Sequence, residues 1–267
     1  MIHHTQPPRL CIHGRVNTGL LSVHVCTLLV VLVCLAQAEH VFIVHGYGSN
    51  RLVMRRMARY LADSGLTVHN WGYRSLTKTI PEIGDELLAE VAELSFEDTV
   101  SFVSHSMGGL VVRAMLGKAQ GDTSFPVVRR VVMLAPPNKG AQLADFFSRW
   151  RFVRWAMGPN PRSMLTDTTS LVHHLHVPED PELGIIAGAR FDGEGYNPLI
   201  DGDDDGFMTV DRTRLGTEDD FAVLPVGHIL MVRDPRVHEY VLAFLRNGAF
   251  PHDDRVDGDT FDTGRAE

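Results

Sequence analysis

The chain has 267 residues, of which 44% are hydrophobic, and this is enough for one domain with a well-buried core. The formal net charge of the chain is −8, and its sequence contains no cluster of basic residues. Both features argue against a nucleic-acid partner. The same charge balance argues against binding to anionic lipid surfaces through charge.

Residues 1–38 differ in composition from the rest of the chain. Arg9 and Arg15 are their only formal charges, an apolar run follows at 20–36, and Ala-Gln-Ala stands at 36–38. This order is typical of a secretory signal peptide, so we expect export to the periplasm or the medium after cleavage near Ala38. An uncleaved membrane anchor and a misassigned start codon are the alternatives.

Strands and helices alternate after residue 38, which predicts an α/β fold with a mostly parallel sheet flanked by helices. Ser49 is the predicted N-cap of the first helix, and Pro81 begins the second. The predicted elements are, in chain order, a strand at 41–45, a helix from Ser49 to about Asp63, a strand at 66–71, a helix from Pro81, a strand at 99–104, a helix to about Lys118, strands at 127–134 and 183–188, and a helix from about Arg236 to Arg246.

The third predicted strand leads into Ser104-His105-Ser106-Met107-Gly108 and then into a helix. This is the layout of the G-x-S-x-G nucleophile elbow, a tight turn that lifts a serine hydroxyl above the sheet. Ser106 is the predicted nucleophile and Gly108 matches the second glycine. Ser104 replaces the first glycine with another small residue, and His105 is the predicted structural residue under the turn.

The first predicted strand ends in His45-Gly46-Tyr47-Gly48, the arrangement of an oxyanion loop. We expect the backbone N–H groups of Tyr47 and Met107 to bind the oxyanion that develops during acyl transfer. His45 and Gly46 are expected to shape this loop, and His45 is not the expected base.

An acid and a base follow in the order Ser…Asp…His that this elbow uses. Asp205 stands in the acidic turn 201–206, and His228 precedes a helical run. His228 is therefore the predicted base and Asp205 the acid that orients it. Asp192, directly after the strand at 183–188, is the rival acid, and the weaker rivals are Asp203 and Asp204.

These pieces together resemble α/β-hydrolases of the bacterial triacylglycerol lipase and esterase type, over about residues 39–250. The matching stretches are H-G-Y-G, S-H-S-M-G-G-L-V-V-R, L-A-P-P-N-K-G and D-G-F-M-T-V followed by L-P-V-G-H. The resemblance implies the α/β-hydrolase fold, with the acid in an Asp-Gly pair before a β-segment. It does not carry over the structural calcium of those lipases, because Leu230 stands where they have an aspartate.

The predicted alternation breaks between Gly140 and about Pro181. The resemblance implies that an insertion here forms a small cap, and an amphipathic cap suits a hydrophobic ester because acyl chains need an apolar groove. Ordinary packing against the core is the alternative. The large apolar residues of the cap are Phe146, Phe147, Trp150, Phe152, Val153, Trp155 and Met157, with Arg149, Arg151 and Arg154 among them.

At the other end of the domain, residues 251–267 are predicted to be an acidic, solvated tail.

Two patterns look like metal sites. Asp201-x-Asp203-x-Asp205-Gly206 opens like a calcium loop, but Arg212 occupies the position of the bidentate glutamate. His173-His174-x-His176 lacks the cysteines or spaced carboxylates of a zinc site. We therefore predict no metal.

The sequence thus predicts a serine hydrolase that cleaves a small-molecule or lipid ester through a Ser-His-Asp triad and an acyl-enzyme, without a cofactor. An acyltransferase or amidase with the same triad is the alternative, and a non-catalytic binding module is a weaker one. Membrane association through the N-terminal segment or the cap is left open.

Overall fold

The computed structural model describes residues 39–150, 152 and 157–252. The predicted signal segment at 1–38, part of the predicted cap and all but two residues of the predicted tail lie outside the described residues. In the part of the chain that the structure describes, no helix has the length and apolar character needed to cross a bilayer.

Six parallel strands form one sheet in the order β2-β1-β3-β4-β5-β6. Their interiors are buried, as expected for a parallel sheet that helices cover on both faces. The observed architecture confirms the predicted α/β class. The strands are β1 (Glu39–Val44), β2 (Thr67–Trp71), β3 (Thr99–His105), β4 (Val127–Leu134), β5 (Glu182–Gly188) and β6 (Asp220–Leu224).

The helices of the described residues cover both faces of the sheet. One core cluster joins α2 and α3 to Phe42 and Phe102, and a second joins α1 and α8 to Val41 and Val103. Neighbouring residues of one strand thus contact opposite layers. The helices are α1 (Arg55–Asp63), α2 (Ile80–Val91), α3 (Met107–Ala119), α4 (Gln142–Ser148), α5 (Asn160–Ser163), α6 (Val210–Thr213), α7 (His228–Met231) and α8 (Pro235–Asn247), with a 3₁₀ turn at Leu171–His174 between α5 and β5.

The start of the first helix was predicted wrongly. Helix α1 begins at Arg55, and the chain reaches it through turns in which the Val53 N–H donates to the Asn50 carbonyl at 3.1 Å. The Asn50 side chain accepts the Leu52 N–H at 2.9 Å. A local turn around Asn50 therefore takes the place of the helix cap expected at Ser49.

Two other differences from the predicted elements concern residues 204–224. The segment after Asp205-Gly206 is not a β-strand, since it makes one isolated bridge, between Asp204 and Thr209, and then enters α6. Strand β6 was not predicted. It has five residues and opens with an aspartate, so its apolar signal is short.

The sheet order reverses between β1 and β3. The chain leaves β1 for the edge strand β2 and then returns past β1 to form β3. In open parallel sheets, the crevice at the carboxyl ends of two such strands is the usual ligand site. Val44 pairs with Ser104 across this point, so the His45–Gly48 loop and the Ser106 turn emerge side by side.

Candidate active site

Ser106 lies at the turn between β3 and α3 with φ 53° and ψ −128°. A positive φ is unfavourable for a residue that has a Cβ, and such strain persists only where the surroundings enforce it. Here the Ser106 N–H donates to the Leu134 carbonyl at 2.8 Å, and both flanking elements are buried. Ser106 thus has the strained backbone of a nucleophile elbow.

Gly108 explains how strand and helix come so close. A Cβ at this position would lie 2.6 Å from the carbonyl oxygens of both Val44 and His45, so only glycine fits. Ser104, in place of the first glycine of the motif, is fully buried, and its hydroxyl donates to the Val132 carbonyl at 3.4 Å. The elbow therefore accommodates this serine without losing its turn.

The two predicted oxyanion donors emerge beside the elbow. A Cβ on Gly46 would lie 3.1 Å from the Ser106 Cβ, so the loop carrying Tyr47 passes directly over the serine. Met107 is the first residue of α3, where helical N–H groups have no intrahelical partner. Among the described residues, no acceptor binds the N–H of Tyr47 or Met107. The Tyr47 hydroxyl donates to the Met157 carbonyl in the predicted cap.

His45 holds this loop from below. Its ring stacks on Tyr73 with centroids 4.0 Å apart, and its Nδ1 lies 2.9 Å from the Gly46 carbonyl oxygen. Because a carbonyl only accepts, Nδ1 carries the proton, and Nε2 accepts the Tyr73 N–H at 3.4 Å. Burial lowers the pKa of His45, which favours this neutral ring.

Asp205 and His228 form a buried pair. Asp205 Oδ2 lies 2.7 Å from His228 Nδ1, and the His228 N–H donates to the Asp205 carbonyl, also at 2.7 Å. Asp205 Oδ1 accepts the N–H groups of Phe207 and Met208 at 2.9 and 2.8 Å. The carboxylate is therefore fixed on both oxygens. Within the described residues, His228 Nε2 has no hydrogen-bond partner and is available to a substrate or to Ser106.

The rival acid Asp192 lies away from His228. It is exposed, accepts the Gly195 N–H at 2.9 Å and forms an ion pair with Arg190 at 2.9 Å. The Gly195 N–H lowers the pKa of the Asp192 carboxyl. Asp203 accepts the Arg190 N–H at 2.7 Å. The structure thus brings Asp205, and neither of these two, onto His228.

Asp204, the remaining rival, binds its own surroundings instead. Its carboxylate is buried and accepts the N–H groups of Gly206 and Asn197. Burial raises its pKa. A Cβ on Gly195 would lie 2.0 Å from Asp204 Oδ2, so the loop 190–197 closes tightly on this side chain.

A pocket of about 430 Å³ opens over Ser106 and His228. The described part of the predicted cap forms one wall, and the loop after β1 forms another. Most of the lining is apolar, and the apolar side chains are Val53, Pro137, Ala141, Leu143, Ala144, Phe147, Met157, Pro161, Met164, Phe207, Met208 and Ile229.

Comparisons with known proteins agree with this architecture. A model described as "Domain of unknown function (DUF7379)" matches residues 32–158. Comparison with curated protein sequences finds no match. The mature lipase BlEst2 of Bacillus licheniformis is 20% identical, with a TM-score of 0.55 over 79% of this chain and 92% of that one. The lin2722 gene product of Listeria innocua is 18% identical, with a TM-score of 0.57 over 81% and 96%. Staphylococcus hyicus lipase is 10% identical, with a TM-score of 0.54 over 73% and 89%.

The chain has the α/β-hydrolase fold. Its structural neighbours include bacterial lipases, and at these identities the similarity concerns the fold.

Within this hydrolase fold, two aromatic rings pack against His228. His105 is almost fully buried, its Nε2 donates to the His228 carbonyl at 3.1 Å, and the two rings are 4.7 Å apart. Burial, together with His228, holds the pKa of His105 well below its usual value. The Phe207 ring stacks on the His228 ring with centroids 4.9 Å apart. Sequence reasoning missed Phe207, whose position directly after Asp-Gly was the available signal.

Two segments of the sequence look like metal sites, and the contacts of the histidine-rich one are of a different kind. Among the described residues, no group of three or more histidine, cysteine or carboxylate side chains is placed to hold a metal ion. In the histidine-rich segment, the carbonyls of Leu175 and His176 accept hydrogen bonds from the buried guanidinium of Arg113 at 2.8 and 2.9 Å. Burial lowers the pKa of Arg113 to about 10.

Proposed function

We propose that this chain is a serine hydrolase that cleaves carboxylic esters. One observation carries the proposal: a buried Asp205–His228 pair and a serine with strained elbow geometry open into the same apolar pocket. An elbow serine alone is a common turn, and a buried Asp–His pair alone is often structural. Their convergence on one pocket is what acyl transfer requires.

In the proposed mechanism, Ser106 Oγ attacks the ester carbonyl while His228 Nε2 takes its proton. Asp205 holds the His228 ring through Nδ1 and stabilises the imidazolium that forms. The N–H groups of Tyr47 and Met107 bind the carbonyl oxygen as it becomes negative. The alcohol leaves with the proton from His228, and water then repeats the sequence on the acyl-enzyme.

The pocket supports a substrate with a hydrophobic acyl group. Phe147, Met157 and Met164 line it from the cap side, and none of these three can donate a hydrogen bond through its side chain. Two of the structural neighbours named above are lipases, which fits a lipid or other hydrophobic ester.

The test combines labelling and turnover. We expect a fluorophosphonate probe to label the protein and p-nitrophenyl esters of increasing chain length to be hydrolysed. Ser106→Ala should abolish both while the thermal unfolding curve stays intact. Ser104→Ala is the matched control and should retain labelling, because the Ser104 side chain is buried. Labelling that survives Ser106→Ala would show the elbow assignment to be wrong.

Adding an alcohol or amine acceptor distinguishes hydrolysis from acyl transfer, the alternative with the same triad. A hydrolase releases mainly free acid, whereas a transferase forms the new ester or amide. Export stays part of the proposal: mass spectrometry of protein from its native host should find Glu39 as the N-terminal residue.

A further inference from the structure

Among the described residues that line the pocket over Ser106, Arg233 is the one that belongs to the set of lysine, arginine, aspartate and glutamate. It is exposed, and within the described residues its guanidinium makes no ion pair or hydrogen bond. Arg236, three residues further on, behaves differently, because it pairs with Asp234 at 2.9 Å and donates to the Pro225 carbonyl at 3.3 Å. Arg233 is thus a cation without an ion-pair partner among the described residues, in a pocket whose lining is mostly apolar.

Arg233 belongs to the same short segment as His228. Helix α7 begins at His228, and the Arg233 N–H donates to the Leu230 carbonyl at 2.8 Å in the turn that ends this helix. His228, Ile229 and Arg233 all line the pocket. On the proposed function, His228 gives its proton to the departing alcohol, so the alcohol portion of the ester leaves on this side.

The end of the pocket beside the predicted cap is apolar. Ala144 and Met164 line it there, and both belong to the core cluster on the α2 and α3 face of the sheet. Val53, another lining residue, packs against the cluster on the α1 and α8 face, to which Met231 belongs. An ester lying across Ser106 would therefore place its acyl chain against the apolar cap and its alcohol portion near Arg233.

We propose that Arg233 binds an anionic group, a phosphate or a carboxylate, on the alcohol portion of the ester substrate. The planar guanidinium presents donors that match two oxygens of either group. The chain as a whole repels anions with its net charge of −8, so such a substrate needs a local cation at the site. Hydrolysis then adds one water across the acyl C–O bond and releases a carboxylic acid and the anionic alcohol.

The test uses soluble hexanoyl esters, so that no lipid surface contributes. The phosphate arm compares the ester of glycerol 3-phosphate with that of glycerol. The carboxylate arm compares the ester of 3-hydroxypropanoate with that of 3-hydroxypropanamide. In each arm the measured quantity is the ratio of kcat/KM for the anionic ester to kcat/KM for the neutral one.

The unchanged protein should favour the anionic ester in at least one arm, and that arm identifies the group. Arg233→Gln should lower this ratio by about 10-fold or more, the loss expected for one charge-assisted hydrogen-bonding partner. Arg233→Glu should bring it below one, and Arg233→Lys should give an intermediate value. Arg236→Gln changes the net charge equally and should leave the ratio as it was.

A ratio that is the same in Arg233→Gln and in the unchanged protein would overturn the inference, as would a preference for the neutral esters in both arms. Hydrolysis and fluorophosphonate labelling without any preference would leave the proposed esterase function standing and remove only the role of Arg233. If the unchanged protein shows neither ester turnover nor fluorophosphonate labelling, both the proposed esterase function and the role of Arg233 are contradicted. Thermal unfolding of each variant separates these outcomes from misfolding.

Discussion

The turn at Ser106 and the predicted cap segment border the same pocket, but they are held by different means. At this turn, Gly108 packs against two backbone carbonyls, and buried elements on both sides hold Ser106 in its strained conformation. The described part of the predicted cap includes two short helices and a 3₁₀ turn, and it is held by contacts such as Asp145 to the Thr166 N–H at 3.0 Å and the Asn160 amide to the Ser75 carbonyl at 2.7 Å.

This difference separates two tasks. Backbone packing fixes the groups proposed to do the chemistry, so their geometry is insensitive to the substrate. Side chains of the predicted cap form the wall that an acyl chain would contact, and those that are only half-buried, such as Phe147, can change at little cost to the fold. Substitutions in the two regions should therefore have different signatures.

The largest effect is expected at Asp205, the proposed catalytic acid. Asp205→Asn keeps the shape of the side chain but removes the charge that holds the His228 tautomer. A loss of about 10⁴-fold in ester turnover is expected, the loss that the same Asp-to-Asn change causes in a serine protease triad. Steady-state kinetics with a p-nitrophenyl ester measure it.

Asp192→Asn is the matched control, and it should lose little turnover because Asp192 contacts Arg190 and Gly195 rather than His228. The reverse ranking of the two variants would move the acid to Asp192.

The next largest effect is expected at Gly108. Gly108→Ala places a methyl group against two backbone oxygens, and neither can move without shifting β1. We expect a loss of about 1–3 kcal/mol in the free energy of unfolding, measured by urea denaturation, together with lower turnover as Ser106 shifts. Gly109→Ala is the control. Its new Cβ would meet the Pro136 side chain at 3.1 Å, and the loss should be smaller. Equal losses in the two variants would contradict the close approach at Gly108.

A smaller and more selective effect is expected in the predicted cap. Phe147→Ala removes a large apolar side chain from the pocket wall, so kcat/KM for octanoyl esters should fall by about 10-fold and for acetyl esters much less. Trp150→Ala removes a large side chain that does not line the pocket and that is 53% exposed, so it should preserve the chain-length preference. A uniform loss across chain lengths in Phe147→Ala would place the acyl group elsewhere.

The smallest effect concerns pH. His105 is buried against His228 and near His45, and its folded pKa lies below the unfolded value of 6.5. Well above pH 6.5, His105 is neutral in both the folded and the unfolded state. As the pH falls, the unfolded state takes up the proton first, so stability is lost between pH 6.5 and the folded pKa.

Between pH 7.5 and 5.5 this loss should be on the order of 1 kcal/mol from His105 alone. His105→Gln should flatten the pH dependence of urea unfolding. His174→Gln, at an exposed position, should not. An unchanged slope in His105→Gln would mean that His105 is not held neutral.

The strand, turn and helix around Ser106 could be predicted from the sequence because their signal is local. Strand, turn and helix adjoin in the chain, and the β3 and α3 bounds lie within a residue or two of the predicted ones. The start of α1 could not be predicted, since Ser49 and Asn50 are both good capping residues and the choice depends on which turn the chain adopts after Gly48.

Which aspartate contacts His228 could be established only from the structure, for a different reason. Asp192 and Asp205 both follow strand β5 in the chain, and each stands at a turn. Which one reaches His228 depends on how the loops after β5 fold back on the end of β6, which is a non-local property. The stacking of Phe207 on His228 has the same origin, because it follows from where the Asp205 turn is anchored.

The contact between Asp204 and Gly195 has a consequence for how this site can evolve or be transplanted. Because the carboxylate occupies the space of a side chain at position 195, the turn that carries Asp205 and the loop 190–197 are complementary halves of one unit. A change in one half selects for a change in the other, so the two segments should co-vary among descendants of this chain. A designer who grafts the Asp205 turn onto another scaffold would have to move residues 190–197 with it.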